Sequence, residues 1–147
     1  MTKEQIETRI LEIETDRVGL IDKLLPDRLA LDYKEFNGDD EYDNMLDDCF
    51  SFKEVGGIFA YMLPSNVLKE CDPTAYRCGK NDWLDSECGE TIEYIGSGYW
   101  KLGDVEEARD AIGDELDTEL AALEAELAEL VEEEEEEQAE QEKEDQA

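Results

Sequence analysis

Residues 68–88, LKECDPTAYRCGKNDWLDSEC, decide how this chain is read. They hold three of the four cysteines, one Tyr, one Trp and the acids Glu70, Asp72, Asp82, Asp85 and Glu87. Asp72-Pro73 reads as a helix start. Aspartate is a strong N-cap, and proline suits the first helical position because its missing N–H would be unsatisfied there anyway. Tyr76, Gly79 and Trp83 then fall at i, i+3 and i+7, on one face of a helix over residues 72–86. A glycine between two aromatics lets another backbone approach closely, so this face is expected to be core, the alternative being an exposed aromatic hot spot. Cys78, Asn81, Asp82 and Asp85 turn elsewhere. On this reading the segment is the anchor of the fold.

Its residue types are compatible with three kinds of chemistry. The cysteines are spaced C-x6-C and C-x9-C, with Cys49 a further 22 residues upstream of Cys71. Structural zinc sites come as knuckles with two to four residues between ligands, so no metal is expected at Cys49, Cys71, Cys78 and Cys88. Without an export signal the four read as reduced thiols, buried or half-buried as small apolar side chains. Asp82 and Asp85 sit one helical turn apart, a spacing that could hold magnesium or share a proton. A catalytic pair also needs a nucleophile or phosphate-binding element beside it, and there is no Gly-rich phosphate loop, no nucleophile elbow and no histidine. No catalytic residue and no cofactor are expected, and the protein reads as a non-enzyme.

Outward from the anchor, Pro64-Ser65 opens a short helix through Cys71. The preceding CFSFKEVGGIFAYM (49–62) places apolar residues around Gly56-Gly57 and suggests two short strands, or a strand and a tight bend. On the other side, TIEYIGSGYWKLG (91–103) alternates around Gly96-Ser97-Gly98 and reads as a hairpin. At the N-terminus, Thr2 with Gln5 forms a capping-box pattern. Ile6, Ile10, Ile13, Leu20 and Leu24 follow as a heptad stripe on a helix ending near Pro26, with a second short helix over 27–36. NGDDEYDNMLDD (37–48) opens on a turn and continues as an acidic loop or helix. Asp104 with Glu107 caps a long helix whose Leu116, Leu120, Leu123, Leu127 and Leu130 repeat every four and three residues. It runs into EEEEEEQAEQEKEDQA, where like charges repel and disorder is expected from about residue 132.

These elements predict an α+β protein. A small helix-plus-hairpin domain (32–103) is flanked by an N-terminal heptad helix (1–31) and a C-terminal amphipathic heptad helix (104–131), followed by a disordered acidic tail (132–147). The C-terminal stripe is flanked by Asp117, Glu119, Glu124 and Glu126, so a parallel self-pair would set like charges against each other. Arg9, Arg17 and Lys23 lie at or beside the N-terminal seam. The two heptad helices are therefore expected to pair with one another, within one chain or swapped across a homodimer. The alternative is that each packs separately on the central domain.

Charge bounds function. The chain carries 44 acids against 13 bases, a net charge of −31. Nucleic acids and anionic membranes would repel it. No apolar run approaches the roughly 20 residues of a membrane span, and MTKEQIETRI has no signal-peptide core. The charge is also uneven: net −2 over 1–31, −7 over 32–48, −3 over 49–103 and −19 over 104–147. Salt adaptation would acidify the whole surface, whereas concentrated acid favours binding of a basic partner. Asp39, Asp40, Glu41, Asp43, Asp47 and Asp48 form the candidate partner-binding cluster, with Asp82 and Asp85 as a further contribution. On a helix, carboxylates three and four residues apart stand about 5–6 Å from one another, comparable with phosphate spacing along a strand. The alternative is a solvated acidic face.

LPSNVLKECDPTAYRCGKNDWLDS (63–86) resembles a run found in small acidic phage proteins, D-P-x-A-Y-R-x-G-x-N-D-[YW]-x-D-S. It covers a sixth of the chain, and no biochemical role comes with it. In charge and size the chain is also similar to phage-encoded DNA-mimic inhibitors of restriction and CRISPR enzymes. The resemblance implies a host-cytoplasmic phage protein that binds a basic host protein, such as a nucleic-acid enzyme or defence complex, at its DNA or RNA site. A disordered tail would add long-range attraction but would mimic a duplex poorly. Two other functions fit the pattern: a coiled-coil phage assembly or scaffold factor, and an acidic halophile domain.

Overall fold

The computed structural model describes residues 1–146; Ala147, the last residue of the expected tail, lies outside the described residues. The chain is mostly helical, with one small antiparallel hairpin, which is the helix-plus-hairpin α+β layout. It divides into two compact units: residues 1–31 with those from 106 onward, and residues 32–105.

The first unit begins with α1 (Lys3–Thr15), set by the expected capping box: Gln5 N–H donates to Thr2 Oγ1, and Thr2 N–H to Gln5 Oε1 at 2.9 Å. The single N-terminal helix of the sequence reading is instead two. Asp16 leaves helical geometry (φ −128°), ends α1 by donating its N–H to Glu12 O, and accepts from Leu20 N at the start of α2 (Arg17–Asp32). Nor does α2 stop near Pro26, which lies inside it. An interior proline costs about 3 kcal/mol. Leu25 and Leu29, one turn apart and both buried, return about 1.5–3 kcal/mol each, enough to carry the helix through. The break at Asp16 also shifts the phase of the apolar stripe. Ile6, Ile13 and Leu20 are buried as expected, but Leu24 is exposed and Leu25 and Leu29 take its place.

The third helix of this unit belongs to α6 (Leu102–Asp145), which follows the hairpin directly rather than starting at an Asp104 cap. Its Ala108, Ile112, Leu116 and Leu123 are buried. The two terminal helices pair within one chain: Lys3 with Glu134 (2.9 Å), Arg9 with Glu119 (2.8 Å), Arg17 with Asp117, and Asp22 with Arg109 (3.9 Å). Positions fall along α6 as they rise along the N-terminal segment, so the order is antiparallel up to Asp22. Residues 132–145, expected as a disordered tail, are helical to Asp145. Glu, Gln, Ala and Lys are all good helix formers, and each like-charge pair one turn apart costs only about 0.2–0.5 kcal/mol. Every side chain from Glu132 to Gln146 is exposed.

The second unit holds α3 (Asp39–Cys49), α4 (Pro64–Cys71), α5 (Pro73–Glu87) and the strands β1 (Ile92–Ile95) and β2 (Gly98–Lys101). Asp72 caps α5 as expected, accepting from Ala75 N at 3.0 Å. The hairpin closes with Ile95 opposite Gly98. Its two-residue loop has Gly96 at φ 65°, the left-handed first position that favours glycine in tight hairpins. Residues 33–36 leave the expected helix, and Phe36 N donates to Tyr99 O at 2.8 Å.

Residues 49–62 are not strands. The segment after α3 makes turns and a short 3-10 helix, Gly57–Tyr61. Gly56 and Gly57 both take positive φ (76° and 61°), a backbone that curls an extended chain out of any ladder. Phe50, Val55, Ile58, Phe59, Tyr61 and Met62 are all exposed.

Candidate functional site

Helix α3 carries six of the eight carboxylates expected to bind a partner, and helical geometry sorts them into two stripes. Asp39, Asp43 and Asp47 recur every four residues beside the buried Tyr42 and Leu46. Each is bonded within the unit. Asp39 pairs with Lys80 of α5, and Asp43 pairs with Lys69 of α4 while accepting from Tyr76 Oη at 2.6 Å. Asp47 accepts from Ser65 N (2.9 Å) and Ser65 Oγ (3.0 Å), satisfying the start of α4, whose Leu63 cap offers no side-chain oxygen. These three carboxylates hold α3 to its neighbours. Asp40, Glu41 and Asp48 lie on the other side and are exposed.

The two candidates on α5 divide in the same way. Asp85 accepts from Tyr99 Oη at 2.9 Å and so ties α5 to the hairpin, whereas Asp82 is exposed. Four of the eight expected residues, Asp39, Asp43, Asp47 and Asp85, are thus engaged inside the unit. Asp40, Glu41, Asp48 and Asp82 present free faces to solvent.

The aromatic face of α5 packs inward. Tyr42 stands between Tyr76 (centroids 5.3 Å apart) and Trp83 (5.6 Å), and Lys69 Nζ lies 5.2 Å from the Tyr76 ring. Gly79 gives Tyr42 its place: a Cβ there would fall closer than 3.0 Å to Tyr42 Oη, with Cζ at 3.6 Å. The close approach expected at Gly79 is therefore made by a phenol rather than by a backbone. Cys78, Asn81, Asp82 and Asp85 all turn outward, as expected.

Electrostatics follow this geometry. Burial pushes the Asp43 carboxyl up, but Lys69, the Tyr76 hydroxyl and the Lys80 charge together hold it below the usual carboxylate range. Burial, then the hydrogen bond to Asp43, holds the Tyr76 phenol well above its ordinary value. The hydrogen bond to Asp85, with some burial, pushes Tyr99 up to about 12. Burial followed by the Asp85 charge raises the Cys88 thiol.

The cysteines depart from expectation in one respect. All four are free, but Cys49, Cys71 and Cys78 are exposed and only Cys88 is half-buried. Cys49 and Cys71 end their helices at the surface, and Cys78 is on the outer face of α5. Among the described residues no group of three or more Cys, Asp or Glu side chains is arranged to hold a metal ion. Among them, too, no helix is long and apolar enough to cross a membrane.

In the first unit, a cleft of about 630 Å³ is lined by Arg17, Ile21, Asp22, Arg109 and Gly113. Arg17 is committed there, to Asp117 and to Gly113 O (3.1 Å). Sequence reasoning missed the ties made by Lys69 and Lys80 and the exposure of the 50–63 segment. The four-residue period of Asp39, Asp43 and Asp47 was the available signal for the first. Comparison with protein-family models, with curated proteins and with solved structures found no match.

Proposed function

We propose that this is a non-enzymatic, acidic phage protein that binds a basic, nucleic-acid-binding host protein in the host cytoplasm and blocks a defence complex by occupying its DNA or RNA site. The observation that carries this reading is the exposed end of α6. Residues 132–137 are six consecutive glutamates on a helix, which sets one charge per about 1.5 Å of axis. Duplex DNA carries one per about 1.7 Å. A helical polyanion meets the objection that a disordered tail imitates a duplex poorly. In the second unit the exposed acids Asp40, Glu41, Asp48 and Asp82 carry charge of the same sign. Electrostatic steering would speed association, and added salt would weaken it.

The test is capture from host lysate at low and at moderate salt, with duplex DNA and RNA as competitors. The reading expects a nucleic-acid enzyme or defence complex to be retained and to be released by nucleic acid. Recovery of ribosomal and other generic basic proteins alone would sink it. The coiled-coil assembly alternative has less support, because Arg9, Arg17 and Arg28 are spent on α6 of the same chain.

A further inference from the structure

We infer that residues 50–63 form the apolar centre of a docking surface for a basic protein, and that this segment, rather than the carboxylates, holds the partner once it has arrived. The inference rests on the basic-partner reading above and assigns it a contact surface. From Val55 to Leu68 there are fourteen residues without a charge, in a chain that is 39% charged. Such a gap would be expected under a core, yet Tyr61 is 90% exposed, Ile58 76% and Val55 65%. Gly56 and Gly57 hold positive φ with nothing within 4 Å of an added Cβ. They serve the turn, not close packing, and that turn sets Ile58, Phe59 and Tyr61 outward on the 3-10 helix.

Contiguous exposed apolar surface of this kind marks interaction sites. Aromatic residues and Met are the types enriched at the buried centres of interfaces. Charge decides the occupant. A second copy, a nucleic acid and an anionic bilayer would each meet a net charge of −31 with like charge. The complementary surface is an apolar groove rimmed by Lys and Arg. Acids would then govern the association rate and its salt dependence, while the segment's side chains would govern the dissociation rate.

The experiment titrates the full-length chain against two labelled helical peptides by fluorescence anisotropy, at moderate and at high salt. One peptide has leucines on one face and lysines on the other; the second has the same lysines, with glutamine in place of leucine. The leucine-bearing peptide should bind roughly tenfold or more tightly. The triple substitution Ile58→Ser, Phe59→Ser, Tyr61→Ser should erase that advantage while leaving the affinity for the lysine-only peptide unchanged. Val18→Ser with Leu31→Ser, also at exposed apolar positions, should leave the advantage intact. Equal binding of both peptides, or an advantage that survives the triple substitution, overturns the inference and leaves the basic-partner reading standing. Failure of both peptides to bind overturns that reading itself. Sedimentation showing a dimer that the triple substitution dissolves, or segment-dependent binding to phosphatidylcholine vesicles, would assign the surface to another occupant and overturn the inference too.

Discussion

In the second unit Gly79 packs directly against the Tyr42 hydroxyl, and this contact predicts a reversal of sign. Gly79 lies inside α5, where glycine costs about 0.5–1 kcal/mol relative to alanine. Replacing it should therefore stabilise the helix if nothing else intervened. The Tyr42 hydroxyl intervenes, because an added Cβ would fall closer than 3.0 Å to Tyr42 Oη. Displacing a ring held between Tyr76 and Trp83 should cost about 1–3 kcal/mol. Gly79→Ala alone is thus expected to destabilise the unit by up to about 2.5 kcal/mol once the helix gain is subtracted. Tyr42→Phe removes the clashing atom, and the nearest remaining Tyr42 atom would sit at 3.6 Å, ordinary contact. In that background Gly79→Ala should stabilise by about 0.5–1 kcal/mol. The four-member cycle can be measured by urea unfolding followed by tryptophan emission. Both tryptophans, Trp83 and Trp100, lie within residues 32–105, so the signal reports this unit. A coupling energy near zero, with the alanine acting alike in both backgrounds, would refute the packing argument.

Three other outcomes follow from the same structure. Asp43 is held below its ordinary range, so its contribution is present above the unfolded value near 3.8 and is lost as pH falls through the lower folded value. Asp43→Asn should cost about 1–3 kcal/mol at neutral pH, and urea midpoints of variant and wild type should converge below that window. A gap that fails to narrow as pH falls below 3.8 would contradict the assignment. Glu119→Gln should cost at most about 1 kcal/mol, as expected for a half-exposed pair with Arg9. That cost should shrink in 1 M salt, and a thermal-melt difference independent of salt would argue against it. The circular dichroism difference between the full chain and one ending at Val131 should be helical and should grow as salt screens the glutamates. A coil-like difference at every salt concentration would contradict helix beyond residue 131.

What was legible in the sequence is what neighbouring residues settle among themselves. The Thr2–Gln5 box, the Asp72-Pro73 start and the Gly96 turn are decided within four residues, and all three stand where they were expected. Choices made by distant partners were hidden. Pro26 reads as a stop until Leu25 and Leu29 are seen to be buried. Residues 49–62 look like strands by composition, but the two left-handed glycines and the lack of a ladder partner leave them as turns. The acidic cluster was visible as charge, but its division into a bonded stripe and a free stripe depends on Lys69, Lys80, Tyr76 and Ser65. Those residues reach α3 from 18 to 41 positions away.

The most direct test of the account neutralises the end of α6 without removing it. Changing residues 132–137 from Glu to Gln removes six charges and preserves helix propensity. Binding of the substituted chain to a nucleic-acid-binding protein captured from lysate is then compared with wild type, with duplex DNA as competitor. The account predicts at least a tenfold loss of affinity, together with a weaker salt dependence and weaker DNA competition than in the wild type. Undiminished, DNA-competed binding by the substituted chain would contradict it.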